Sequence, residues 1–273
     1  MLHEIYPSVF DNSFKPRPPR EGDVVILFGK GAALVREEGD KLDVPHFPAL
    51  HADEGDYLFR IDDVAYYGRF VEGEMPSIGE GFGFVPLRST FGKEPSVLPF
   101  AITTGYHIAA WKHYHRFCGV CGTPLVPSAT ERALTCPKCR HTIYPDIHPA
   151  VNIAIRNGDS LLLIRNNSAS GVRYSLVAGF VEIRETAEDT VRREPMEEVG
   201  LKVKNIHYYA GQPWGIVENL QIGFFCDVDG DPTIRVDGNE VKDAVWVKRS
   251  EIPQRDNSSI TGRLINAFRA GEI

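Results

Sequence analysis

The sequence predicts an α/β protein whose C-terminal half holds a mixed sheet between helices, preceded by a small metal ribbon and a β-rich N-terminal domain. Three observations lead there. Beyond residue 148, short apolar runs of strand length alternate with two helical segments, without a regular βαβ repeat and without a G-x-G-x-x-G or Walker A pattern. Four of the five cysteines stand in two C-x-x-C pairs separated by 14 residues. Before residue 100, apolar runs of strand length are broken by Gly, Pro and Asp. The expected domains are 1–113, 114–143 and 144–273.

The chain has 273 residues, the length of about two domains. Apolar residues make up 42% and charged residues 25%, as in soluble globular proteins. A net charge of -7 argues against a protein that coats nucleic acid or anionic membrane, since either role needs excess positive charge. The first twenty residues lack the apolar stretch of a secretory leader, and no apolar run is long enough to cross a bilayer. A soluble, cytoplasmic protein without a membrane partner is expected.

Residues 1–20 are rich in proline and charge and read as a poorly ordered or edge segment. The runs Val24–Phe28, Asp56–Arg60 and Ala65–Phe70 read as strands, and 98–115 reads as a helix entering the ribbon. In the ribbon, Cys118, Cys121, Cys136 and Cys139 form two knuckles whose four thiolates suit tetrahedral Zn²⁺. Gly119, Gly122 and Pro137 supply turn chemistry. A four-Cys site is closed, so the zinc is structural. Cys226, in an apolar strand-like run, reads as a buried inert thiol.

Asn157-Gly158 marks a hairpin between the strands Ala150–Ile155 and Ser160–Ile164. A third strand is expected at 174–178, a helix at 186–199, strands at 203–210, 221–228 and 244–248, and a last helix at 260–270.

The helix carries the chemistry. Glu194, Glu197 and Glu198 have i, i+3 and i+4 spacing and gather on one face, beside an apolar stripe of Val191, Pro195 and Val199. Clustered carboxylates raise one another's pKa unless a cation neutralises them. Hard oxygen donors on a rigid element suit Mg²⁺ or Mn²⁺ shared with phosphate oxygens. A solvated acidic face has the same composition. The pattern G-x5-E-x7-R-E-x-x-E-E-x-G-L is far more specific, and Gly179, Glu185, Arg193, Glu194, Glu197, Glu198, Gly200 and Leu201 fill it.

This resembles the signature box of Nudix hydrolases, which implies a Nudix α/β/α sandwich. Pro195 stands where that family carries an aliphatic residue. A mid-helix proline removes one hydrogen bond and costs about 3 kcal/mol, and it falls between Glu194 and Glu198.

A four-Cys ribbon directly before such a domain resembles the NADH pyrophosphatase family of Nudix hydrolases. Ala110-Trp111, Phe117, Tyr144-Pro145, Ala178 to Glu182 and Gln212-Pro213-Trp214 carry the likeness. The resemblance implies metal-dependent cleavage of the NAD(H) pyrophosphate into AMP and NMN(H), possible removal of NAD caps from RNA 5′ ends, and a homodimer. It assigns catalysis to Glu194, Glu197 and Glu198. Two or three Mg²⁺ or Mn²⁺ ions would be bound by Glu194, Glu198, the Ala178 carbonyl and Glu240, with Asp237 and Asp243 as rivals to Glu240. Glu197, Glu198 and Glu240 are all candidates for the general base. Substrate contacts are implied for Glu131, Tyr144 (from the partner subunit), Phe180, Gln212, Pro213, Trp214, Gly215, Ile216, Val217, Glu218, Asn219 and Thr261.

The residues flanking Gln212-Pro213-Trp214 depart from the family array, which keeps another nucleoside diphosphate derivative such as ADP-ribose as an alternative substrate. A ligand-binding module with a decayed box is the non-enzymatic alternative, resting on Pro195. The basic residues Arg116, Arg132, Lys138 and Arg140 read as a solvated ribbon surface.

Overall fold

The computed structural model describes residues 1–48, 55–73, 79, 81–167, 174–236 and 238–273. Asp237, one rival to Glu240, lies outside them. The chain divides into two compact units, one of residues 2–147 with 214–218, the other of Met1, 148–213 and 219–273.

In the first unit the strands are β1 (Phe10–Asp11), β2 (Val24–Gly29), β3 (Ala32–Glu38), β4 (Lys41–Asp43), β5 (Asp56–Ile61), β6 (Val64–Phe70) and β7 (Phe82–Pro86). They form one sheet in the order β1-β5-β6-β2-β3-β4, with β7 also paired to β3. Among the described residues, the β2–β6 pair is the one parallel pair of these strands. Helix α1 (Val97–Tyr114) packs Ile102 and Tyr106 into a core with Ile26, Phe28 and Leu58. Residues 1–20 are an edge segment, with β1 pairing β5 and the Arg17 guanidinium gripping both oxygens of Asp23 at 2.6 and 2.8 Å. Strands β3, β4 and β7 were not among the expected elements.

The ribbon lies in the same unit, with β8 (Val126–Pro127), β9 (Leu134–Thr135) and β10 (Thr142–Ile143) in an antiparallel sheet of order β10-β9-β8.

The second unit holds β11 (His148–Asn157), β12 (Ser160–Asn166), β13 (Val177–Phe180), α2 (Ala187–Val199), β14 (Val203–Trp214), β15 (Asn219–Val228), β16 (Val241–Lys248) and α3 (Ile260–Ala270). The strand order is β14-β15-β11-β12-β16, with β13 also on β11. The β11–β15 pair is parallel and the β11–β12 and β12–β16 pairs antiparallel, so the sheet is mixed as expected. Period-2 alternation sends Val151, Ile153 and Ile155 into a core with Val191 and Val199 of α2, and Ala154 into a core with Ile260 and Leu264 of α3. Two helices thus cover opposite faces of one sheet. The third strand starts at Val177, three residues later than expected, because Ser175 instead bridges Ile164 of β12. Strand β14 runs four residues past its expected end, through Gln212 and Pro213 to Trp214.

Candidate active site and zinc ribbon

The four ribbon thiols are unbridged, with Cys118–Cys139, Cys121–Cys136 and Cys121–Cys139 sulfur distances of 3.6, 3.5 and 3.6 Å. Four sulfurs about 2.3 Å from one Zn²⁺ stand about 3.8 Å apart at tetrahedral angles, so the donor set fits that ion. The knuckles repeat one construction. Gly122 N–H bonds the Cys118 carbonyl and Arg140 N–H the Cys136 carbonyl, and both residues have positive φ, 69° and 63°. The N–H groups of Val120 and Cys139 each point at a knuckle sulfur, at 3.4 Å. Hydrogen bonding from the Cys139 N–H holds the Cys136 thiol down to about 6, toward the thiolate that zinc needs. Cys226 is fully buried and its thiol is pushed up to about 12 by burial.

In the second unit a cleft of about 420 Å³ is lined by residues of β11, β13, β15 and α2, within the size range of small-molecule sites. Thr186 caps α2 in a reciprocal box with Asp189. The helix continues through Pro195, which removes the amide that would serve the Val191 carbonyl but sits only one turn from the C-terminus. There its own carbonyl accepts from Gly200 and Leu201, with Gly200 at φ 70°. Both flanking carboxylates stay on one face and are buried, Glu194 at 8% and Glu198 at 6% exposure.

Arg193 organises this face. Its guanidinium donates to Glu185 Oε1 at 2.6 Å and Oε2 at 2.9 Å, Glu194 Oε1 at 2.7 Å, Glu197 Oε2 at 2.9 Å and the Phe180 carbonyl at 3.0 Å. Glu185 also accepts from the Glu182 N–H and the Thr190 hydroxyl. Hydrogen bonding from Arg193 holds the Glu185 carboxyl down to about 2. Glu194 is shifted the other way, raised by burial and by the charges of Glu197 and Glu240 against the pull of Arg193. A hard divalent cation would relieve that penalty, so the oxygen donors facing the cleft fit Mg²⁺ or Mn²⁺ in kind. Among the described residues, the four cysteines are the group of three or more potential ligands whose donor atoms all lie within 4.8 Å. The cleft carboxylates are not drawn in that far.

Of the expected residues, Ala178, Phe180, Glu194, Glu197, Asn219 and Glu240 line the cleft. Glu198 is not in its lining, although it shares the carboxylate face of α2. The Glu240 loop is braced by Asn167, which donates to the Gly238 and Asn239 carbonyls at 3.1 and 2.6 Å. Asp243 is engaged elsewhere, accepting from the Tyr174 hydroxyl at 2.8 Å. The expected Gln212–Asn219 substrate segment is divided. Gln212 has 0% exposure and both ends of its amide are used, Nε2 on the Ser258 carbonyl and Oε1 on the Ile260 N–H. Trp214 is buried against Phe91 and under Arg88, and a Cβ on Gly215 would press to 2.4 Å from the Thr103 carbonyl oxygen. Ile216 packs on the core of the first unit, where Trp214–Glu218 belongs. Tyr144 is 55% exposed in that unit, its hydroxyl 3.3 Å from both Glu131 oxygens. The expected basic cluster loses Arg132, which turns inward to the Leu58 carbonyl and Asn12.

The cleft also takes in Asn152, Gln221 and Glu182, to which no expectation gave a role in the site. The alternation along β11 contained the clue for Asn152, a carboxamide on an otherwise small and apolar stripe.

Family models match the chain at residues 146–268, the NUDIX domain, and at 113–144, the NADH pyrophosphatase zinc ribbon domain. The NAD-capped RNA hydrolase NudC of Chromobacterium violaceum is 38% identical over 208 residues, 76% of this chain and 73% of that relative. The chain belongs to the NADH pyrophosphatase family of zinc-ribbon Nudix hydrolases. NudC of Pectobacterium atrosepticum is 41% identical over 150 residues, 55% of this chain and 57% of that relative, so that match spans little more than half of its length. A Nudix hydrolase from Nitrosomonas europaea superposes with TM-score 0.50 at 22% identity, covering 57% of this chain and 90% of that one, which shows the Nudix fold. In Nudix terms, α2 carries the signature box and Gly179 is its first residue.

Proposed function

We propose that this Nudix protein is a metal-dependent diphosphatase that hydrolyses the pyrophosphate bond of NAD(H) to AMP and NMN(H), and that NAD-capped RNA 5′ ends are a further substrate. The observation that carries the reading is the joining, in one cleft, of the carboxylate helix to an aromatic wall, Phe180, which is 53% exposed. The names of the NudC relatives support the same substrate class. The four thiols hold one structural zinc. Glu194, Glu198, the Ala178 carbonyl and Glu240 hold the catalytic Mg²⁺ or Mn²⁺. A cytoplasmic homodimer belongs to the same reading, with Tyr144 offered from the partner subunit and largely exposed for that role. Among the described residues no helix is long and apolar enough to cross a membrane.

When bound, the divalent ions neutralise the pyrophosphate oxygens and lower the pKa of the attacking water. The chain's own residues prepare the rest. Gly179 lets Glu194 lie against β13, and Arg193 fixes Glu194 and Glu197 in relation to each other. Phe180 offers its ring to a planar base. One carboxylate, Glu197 or Glu240 of the cleft or Glu198 on the same helix face, takes the water proton as the water oxygen bonds one phosphorus and the bridging P–O bond breaks. The phosphate released on the other side leaves with its nucleoside.

The test is hydrolysis of NADH, NAD⁺, ADP-ribose and an NAD-capped RNA by the full chain with Mg²⁺ or Mn²⁺, with Glu198→Gln as control. Metal-dependent release of AMP and NMN(H), lost in the variant, is the expected result. Turnover of ADP-ribose alone replaces the substrate assignment. No turnover by a folded, zinc-loaded chain replaces catalysis with ligand binding.

A further inference from the structure

The floor of the cleft follows from strand register. Along β11, Ala150 and Asn152 alternate with Val151 and Ile153, which enter the core under α2. The β13 ladder sets Ala150 opposite Phe180 and Asn152 opposite Ala178. The β15 ladder sets Gln221 beside Ala150 and Gly223 beside Asn152. Opposed residues share a face, about 5 Å apart. One row of the floor therefore reads Phe180, Ala150, Gln221, and the next row Ala178, Asn152, Gly223. The residue between Phe180 and Gln221 in the first row is the small Ala150, and Asn152 stands beside it in the next row.

Asn152 is 4% exposed yet lines the cleft, and small residues flank it on both sides. It is held from α3, where the Thr261 hydroxyl donates to Asn152 Oδ1 at 2.8 Å. A carboxamide has one oxygen acceptor and two N–H donors. With its oxygen tied to Thr261, Asn152 is left with its Nδ2–H₂ as the group to offer. Thr261 is not in the cleft lining and acts through Asn152.

We infer that Asn152, oriented by Thr261, is a specificity-determining residue that donates a hydrogen bond to an exocyclic carbonyl oxygen on a planar ring stacked at Phe180. The cleft thereby selects dinucleotides whose planar ring beyond the pyrophosphate bears such an oxygen, as nicotinamide does, over nucleoside diphosphate sugars, which carry no planar ring there. The inference rests on the diphosphatase reading.

The experiment measures kcat and KM of the full chain on NADH and on ADP-ribose, for the natural protein and for Asn152→Leu, Asn152→Asp, Thr261→Val and Thr261→Ser, with zinc content and unfolding temperature as checks on folding. Asn152→Asp keeps an acceptor for Thr261 in nearly the same volume, removes the donor and adds a negative charge that the pyrophosphate of both substrates meets alike, so that the ratio between substrates reads the donor. The NADH to ADP-ribose ratio of kcat/KM is expected to fall roughly three- to tenfold in Asn152→Leu and Asn152→Asp, the worth of one neutral hydrogen bond, mainly through KM for NADH. Thr261→Val lowers the ratio and Thr261→Ser restores it. A natural ratio in Asn152→Asp overturns the donor assignment, and equal losses on both substrates in the Asn152 variants reduce the residue to a structural one. If the natural protein cleaves ADP-ribose and not NADH, the inference fails while the hydrolase stands. If it cleaves neither, the diphosphatase reading fails and takes the inference with it.

Discussion

A Cβ placed on Gly179 would lie 1.9 Å from Glu194 Oε1 and 2.0 Å from its carboxyl carbon, so glycine at the end of β13 is what lets this carboxylate reach the cleft. Real Cβ atoms are never that close to their neighbours, and Glu194, already fixed by Arg193, has to move. Gly179→Ala is expected to lower kcat/KM by at least about tenfold and to raise the metal concentration needed for half-activity, while the fold persists. Steady-state assays across a Mg²⁺ titration check this. Natural kinetics in the variant would contradict the close-approach account.

The pair Arg193–Glu185 sets a pH dependence. Glu185 is held down to about 2 from an ordinary 4.5, chiefly by hydrogen bonding from Arg193. A carboxylate depressed in the folded state stabilises above its unfolded pKa, and this contribution drains away as pH falls toward the folded one. Glu185→Gln is therefore expected to be less stable than the natural protein above pH 4.5, with the gap closing between 4.5 and 2. Unfolding temperatures at a series of pH values measure the gap. A gap constant through that window would sink the assignment.

Thiol reactivity separates the five cysteines. The natural protein with zinc bound is expected to react slowly with a thiol reagent, and a chelator should release one zinc and expose the four ribbon thiols. Cys226, fully buried with its thiol pushed up to about 12, stays inert until the second unit unfolds. Five fast thiols after chelation under native conditions would show that this strand opens with the ribbon.

Pro195 provides a stability test. The helix is continuous, so replacing the proline with valine returns the hydrogen bond to the Val191 carbonyl without moving Glu194 or Glu198. Pro195→Val is expected to stabilise by about 1–3 kcal/mol and to leave kcat/KM within about twofold. Thermal unfolding with zinc bound reads the first quantity. A lower unfolding temperature would mean that the buried proline ring packs better than the returned bond compensates.

A local strain adds a further case. Arg184 has φ 73°, in the left-handed region that disfavours any side chain. Arg184→Gly is expected to gain about 1 kcal/mol, read as a small rise in unfolding temperature with activity retained.

What could be read from the sequence was local. Asn157-Gly158 announced its hairpin, the C-x-x-C pairs their knuckles, and the spacing of Glu194, Glu197 and Glu198 their common face, because each depends on a few neighbouring residues. The N-terminal sheet was harder. Strand β3 ends in Arg36-Glu37-Glu38 and β7 is threaded with glycine and proline, so neither has the apolar alternation that marks a strand. Gln212 looked like part of a substrate array, but it caps the start of α3 by bonding residues 46 and 48 positions away. Asn152 and Thr261 lie 109 positions apart, and only the folded sheet makes them a pair.

The convergence of Glu185, Glu194, Glu197 and the Phe180 carbonyl on one guanidinium has a consequence for mutagenesis. Partners that share a hub do not contribute independently, so losses from single replacements around Arg193 will not add up to the loss from removing Arg193 itself. Ranking these acids by one-at-a-time substitution would count the same interaction several times. Double-mutant cycles through Arg193 are the measure that apportions it, and their coupling energies would show whether the signature helix behaves as four side chains or as one.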